Sequence, residues 1–168
     1  MTAKSMQNIK PVLKKFLENS TRIVFLAIGS ELRGDDAAGL VCANELLKNN
    51  PPDNFKVLLG HTAPENLTGE IKRFNPTHLI ICDAADSGLE AGQIGVIEVE
   101  RVDGAAFSTH MMPMNVFINY ISQGSDLKTL ILGLQPENLE FGAEVTQKVQ
   151  NSAVELAGMI TEALKVDK

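Results

Sequence analysis

The sequence predicts a single α/β domain: one mostly parallel five-stranded sheet with helices on both faces. Three observations carry this. Apolar runs at 22–28, 79–82 and 128–134 are continuous rather than alternating, as expected of strands covered on both sides. Amphipathic stretches of helical period separate them, which favours βαβ units over hairpins. Turn-prone residues such as Gly29-Ser30 and Asp86-Ser87-Gly88 follow the strands at one end. The domain is expected to fill residues 1–168, with 1–20 a helical extension ahead of the first strand.

Taken in order, residues 6–19 place Ile9, Val12, Leu13, Phe16 and Leu17 at helical spacing, and Pro11 can delay the helix start. Arg22–Ile28 is the first strand. Asp35 or Asp36 can open a helix that runs to about Lys48. Phe55–Leu59 is the second strand; residues 60–66 form a loop, and Pro64 suits the first turn of a helix ending near Phe74. Thr77–Asp83 is the third strand, with Pro76 just ahead of it. Gln93–Val99 alternates in part, as an edge or antiparallel strand would. Residues 100–112 read as loop. Pro113 opens a helix to about Ile121, Lys128–Leu134 is the fifth strand, and a last helix spans about Glu144 to Lys165 on a stripe of Val149, Ala153, Leu156, Ile160 and Leu164.

Composition narrows the function classes. Net charge is −6, so no nucleic-acid partner is expected, since that needs a basic face. No apolar run approaches the ~18 residues of a membrane span, and the first residues lack the apolar segment of a signal peptide; a cytoplasmic protein without a membrane partner is expected. Cys42 and Cys82 both fall in apolar runs, as buried free thiols would. Glycine spacing after the first strand fits neither a dinucleotide turn nor a phosphate loop, and no Gly-x-Ser-x-Gly elbow occurs.

In open α/β sheets, ligands bind beyond the carboxyl ends of strands. Three groups gather there: Asp36 after the first strand, Asp83 at the end of the third, and His110 closing the long loop. If the first and third strands are neighbours, two carboxylates and an imidazole make a three-ligand site with open positions, suited to Ni²⁺ or Zn²⁺ more than Mg²⁺. Each residue also has a plainer role. Asp35 or Asp36 can be an N-cap, Asp83 a turn former, and His110 a loop histidine. Glu65 and Asn66 suit a helix start, His78 sits at the opposite end of its strand, and Met111, Met112 and Met114 suit packing.

The ordered pieces Ile28-Gly29-Ser30, Gly34-Asp35-Asp36-Ala37-Ala38-Gly39, Ala63-Pro64-Glu65-Asn66, Leu79–Ala84, Thr109-His110-Met111-Met112-Pro113-Met114-Asn115 and Leu132-Gly133-Leu134-Gln135-Pro136 resemble the hydrogenase maturation endopeptidases. That family trims the C-terminal tail of the nickel–iron hydrogenase large subunit. The Ala-Pro-Glu-Asn and Thr-His-Met-Met-Pro-Met-Asn stretches look most like its formate-hydrogenlyase branch. The resemblance covers about residues 22–160. It implies that Asp36, Asp83 and His110 are nickel ligands and carry the cleavage, that the nickel comes with the substrate (other divalent metals being able to occupy the site), and that the partner is a large-subunit precursor. One chain would hold a complete site, so a monomer is expected. Two departures stand out: Gly29-Ser30 replaces a common Gly-Asn, and Leu59-Gly60-His61 replaces a common Asp-Gly-Gly. His61 is a conceivable fourth ligand, although a loop histidine is more often simply solvated.

Two other classes share these features. A phospho-receiver domain also carries acids after its first and third strands, but needs a Lys near the end of the fifth; here that strand ends Gly133-Leu134, with Lys128 at its start. A non-catalytic module that binds the metal or the hydrogenase subunit would use the same ligands as a protease.

Overall fold

The computed structural model describes residues 9–99 and 112–165. It contains helices α1 (Ile9–Leu17), α2 (Ala38–Lys48), α3 (Thr68–Phe74), α4 (Met114–Ser122) and α5 (Gln147–Lys165). The strands are β1 (Ile23–Ile28), β2 (Phe55–His61), β3 (His78–Ala84), β4 (Ile94–Ile97) and β5 (Lys128–Leu134). They form one sheet in the order β2-β1-β3-β5-β4. All neighbours are parallel except β4, which runs antiparallel to β5 at the edge, as its alternation predicts.

Period-2 geometry sends alternate side chains of one strand into two cores. Ile23, Phe25 and Ala27, with Ile80, Cys82 and Leu132, pack beneath α1, α2 and α5. Val24, Leu26 and Ile28, with Leu79, Ile81 and Ile131, pack beneath α3 and α4. This double demand explains why the central strands are continuously apolar. The N-terminal helix belongs to the first core: Ile9, Leu13 and Leu17 are buried in it.

Several boundaries differ from the expectations, among them β4, which ends at Ile97 rather than Val99, and α3, which becomes α-helical only at Thr68; three others bear on the site. The helix after β1 begins with a 3₁₀ turn, Gly34–Ala37, and becomes α-helical only at Ala38. β2 runs on to His61, because the Gly29 N–H donates to the His61 carbonyl (2.8 Å) after a register slip that skips Gly60. α5 starts at Gln147 rather than Glu144, since the Thr146 N–H and hydroxyl are held by Asp35 instead of a helical turn. No described helix is long and apolar enough to cross a membrane.

Candidate active site

From β1 the chain turns to β2 on one side; from β2 it crosses to β3 on the other side of β1. The strand order therefore reverses between β1 and β3, and the crevice at such a switch point is where α/β sheets bind ligands. Asp83 stands on β3 and Asp36 on the turn that follows β1, the two strands that flank it.

The register pairs Ala27 with Cys82, so Asp83 stands one residue further along, level with the end of β1. The 3₁₀ turn bearing Asp36 is set down over the same point. A Cβ on Gly39 would collide with the Cys82 carbonyl oxygen and lie 2.9 Å from that of Ile28, so only glycine lets α2 rest on both strand ends. Gly29 is equally constrained: its φ is +144°, and a Cβ there would strike the Asp36 carbonyl. Asp36 and Asp83 are both buried, and the Ser30 N–H donates to Asp36 Oδ2 at 3.0 Å. Two buried carboxylates at one sheet edge are costly unless met by donors or a cation, and they supply the hard oxygen ligands a divalent metal takes. The structure thus brings together two of the three expected ligands. His110, and Met111 beside it, lie outside the described residues, among which no group of three metal-binding side chains converges.

The adjacent acid has another task. Neither Asp35 nor Asp36 caps a helix through its side chain, contrary to the N-cap expectation. Asp35 is fully buried and accepts hydrogen bonds from the backbone N–H groups of Glu137 (2.8 Å), Asn138 (2.9 Å) and Thr146 (2.7 Å), and from the Thr146 hydroxyl. It thereby pins the 137–146 loop beside the turn that carries Asp36. Backbone bonds from Gly34 to the Ala143 carbonyl and from Asp35 to the Asn138 carbonyl complete the weld.

Gln135 is a second clamp that sequence reading passes over as loop. Its Oε1 accepts from the Ser87 and Leu89 N–H groups and its Nε2 donates to Asp86 Oδ1, tying the loop after β3 to the end of β5. Partners 46 to 111 residues away leave no local signal for either clamp.

The remaining candidates separate cleanly. His61 is exposed at the end of β2, at φ +49°, a conformation that explains why a glycine suits this position. His78 begins β3 opposite Ile23 and Lys128, at the far edge of the sheet, and packs edge-on against Phe16 (5.0 Å). Burial first, and then the Lys128 charge, pull its pKa below the usual value. Met114 is buried in the second core and Met112 packs against it. The Cys82 thiol is pushed well up, chiefly by its hydrogen bond with Cys42 and then by burial and by the Asp83 charge, which suits packing and not a nucleophile. Lys128 pairs with His78 at the end of the sheet opposite Asp83, so it is not placed to serve as the lysine of a phospho-receiver site. A cavity of about 300 Å³ between the C-terminal ends of α2 and α5 lies at the far end of α2 from Asp36.

Known proteins are similar to this chain in sequence and fold. Residues 41–163 fit the family model described as hydrogenase maturation protease. The hydrogenase 3 maturation protease of Escherichia coli is 34% identical over 130 residues, covering 77% of this chain and 82% of its own. The crystal structure of a [NiFe] hydrogenase maturation protease from Thermococcus kodakarensis superposes with a TM-score of 0.83 at 32% identity, over 92% of this chain and 99% of that one. The solution structure of an E. coli endopeptidase of the same type gives 0.72 at 31% identity, over 82% and 87%.

Proposed function

The chain belongs to the hydrogenase maturation protease family, and from that premise we propose that it removes the C-terminal extension of a nickel–iron hydrogenase large-subunit precursor once nickel is in place. The observation that carries this reading is the pair of buried carboxylates at the switch point, Asp83 on β3 and Asp36 on the turn that follows β1. Together with His110 they would offer two oxygen donors and one nitrogen donor to a nickel ion that arrives as part of the substrate, a set whose chemistry fits that ion.

Asp36 and Asp83 would dock the precursor by completing the coordination of its metal. Nickel held there would supply Lewis-acid polarisation of the scissile carbonyl or of the attacking water. Water adds to the carbonyl carbon, the C–N bond breaks, and the leaving amine takes a proton. The chain's own part is positional: the Ser30 N–H orients Asp36, and the Gly39 contact fixes the turn above the strand ends. A precursor without nickel would give these ligands nothing to bind, so metal reading and specificity would be one device. A single subunit would suffice.

The test is the intact mass of nickel-loaded and nickel-free precursor before and after incubation with the protein. Loss of one defined C-terminal peptide from the loaded form alone is the expected result. Cleavage of both forms alike would overturn the metal-reading mechanism. Co-elution with the loaded precursor without cleavage would make the chain a binding module.

A further inference from the structure

Single exposed apolar side chains are normal on any protein surface. Two stand out by degree among the described residues: Phe141 is 80% exposed and Leu32 is 62% exposed, the two highest values among the large apolar residues. They stand on different loops that meet at one point, since the Gly142 N–H donates to the Leu32 carbonyl (2.8 Å). Leu32 belongs to the turn that carries Asp36, and its N–H is held by the Ser30 hydroxyl (3.2 Å). Phe141 belongs to the 137–146 loop that Asp35 pins from beneath. Both are thus presented on well-tethered backbone beside the candidate active site. A tethered exposed aromatic loses little conformational freedom on contact, which is what interface anchors need.

We propose that Leu32 and Phe141 form an apolar lip that grips the precursor next to the segment being cut. This rests on the function proposed above and names the contact that would set affinity for the substrate. The occupant is a stretch of the precursor that is apolar at its centre and basic at its flanks. The apolar part follows from the two side chains. The basic part follows from the balance of their neighbours: exposed Glu31, Glu140 and Glu144 outnumber the half-buried Arg33 that follows Leu32. Continuity with the Asp36 turn places the lip beside the sheet edge where the scissile peptide bond would be presented.

The experiment measures processing of nickel-loaded precursor over a range of concentrations by wild type, Leu32→Ser, Phe141→Ser and the double variant. Thermal melting confirms that each variant folds. Loss of one buried aromatic contact should raise KM about tenfold or more, with kcat retained at saturating precursor. Glu140→Lys should raise KM further, and the wild-type KM should rise with salt. An unchanged KM in the folded double variant would overturn the lip. So would a wild-type dimer that the double variant turns to monomer with KM unchanged. If wild type binds precursor without cutting it, the protease reading fails, and weaker binding by the double variant would still support the lip. If wild type neither cuts nor binds, both proposals fall.

Discussion

The turns that leave β1 and β2 are near copies of each other. Each is a four-residue 3₁₀ turn, Gly34–Ala37 and Pro64–Leu67, followed at once by an α-helix. The residues that precede them have almost the same backbone, φ −130° and ψ 55° at Arg33 against −136° and 63° at Ala63. Asp36 and Asn66 each donate a backbone bond of 3.1 Å to those residues. The positions correspond one to one: Asp35 to Glu65, Asp36 to Asn66, Gly39 to Gly69. Yet Asp35, Asp36 and Gly39 are buried, while Asn66 and Gly69 are exposed. The cause is the place of the parent strand. β1 has β2 and β3 on either side, so its turn meets a neighbouring strand end and is roofed by the 137–146 loop; β2 is the edge strand. Equal local geometry becomes a candidate site in one case and plain surface in the other. What makes the site is topology, not turn shape.

The sharpest way to break this contrast is at the second acid. Asp36→Asn keeps the Ser30 hydrogen bond feasible but removes an anionic donor. Processing of nickel-loaded precursor should fall more than about 100-fold, beyond the 10- to 100-fold typical of losing a residue behind a ligand. Asn66→Asp in the twin turn should leave the rate within about threefold, since an exposed change far from such features is usually mild. Both variants should melt close to wild type. Comparable losses from the two would mean that the site extends across both turns.

The next difference concerns stability. Asp35→Ala leaves three part-buried backbone N–H groups without their acceptor and empties a fully buried carboxylate position. At about 1–3 kcal/mol for each orphaned donor, the cost should be on the order of 3 kcal/mol or more. For a chain of this size that lowers the melting temperature by roughly 6–12 °C. Glu65 gains no such contacts: its buried Oε2 has no hydrogen-bond partner among the described residues. Glu65→Gln should therefore change stability by less than about 1 kcal/mol, of either sign. Calorimetry of the two variants side by side measures the contrast directly.

The same contrast marks how far the sequence could be read. Strand identity, the antiparallel edge strand and the two-sided sheet follow from apolar runs and alternation, because burial on both faces demands continuous apolar residues and leaves a pattern in the chain. The edge that carries Asp36 and Asp83 was also legible, since Asp83 directly follows one apolar run and Asp36 lies in the turn-rich stretch that follows another. The division of labour between Asp35 and Asp36 was not. Adjacent residues of one type differ only in what each faces, and Asp35 faces a loop more than 100 residues away. The late start of α5 has the same origin, for Thr146 is recruited by that acid. Nor could the twin turns be seen as a pair, since their sequences share only the closing glycine and a polar pair. The role of His110 rests on family resemblance and loop position alone.

The smallest pair of effects should differ in sign. Gly39→Ala drives a methyl group into the carbonyl oxygens of Cys82 and Ile28, backbone atoms that cannot swing aside. Overpacking of this kind costs about 1–3 kcal/mol, and it would also lift the Asp36 turn off the strand ends. Gly69→Ala meets only the Arg73 Nη1, at 3.3 Å, the far end of a flexible side chain. Replacing glycine within α3 should then stabilise by about 0.5 kcal/mol through helix propensity and the reduced freedom of the unfolded chain. Urea unfolding of both variants reads the sign. If Gly39→Ala proved neutral, α2 would not need its close approach to β1 and β3, and the fixed placement of Asp36 would need another cause. If Gly69→Ala were as damaging as Gly39→Ala, glycine would be a requirement of the shared turn itself. The difference between the two regions would then lie in their chemistry alone and not in how tightly each is held.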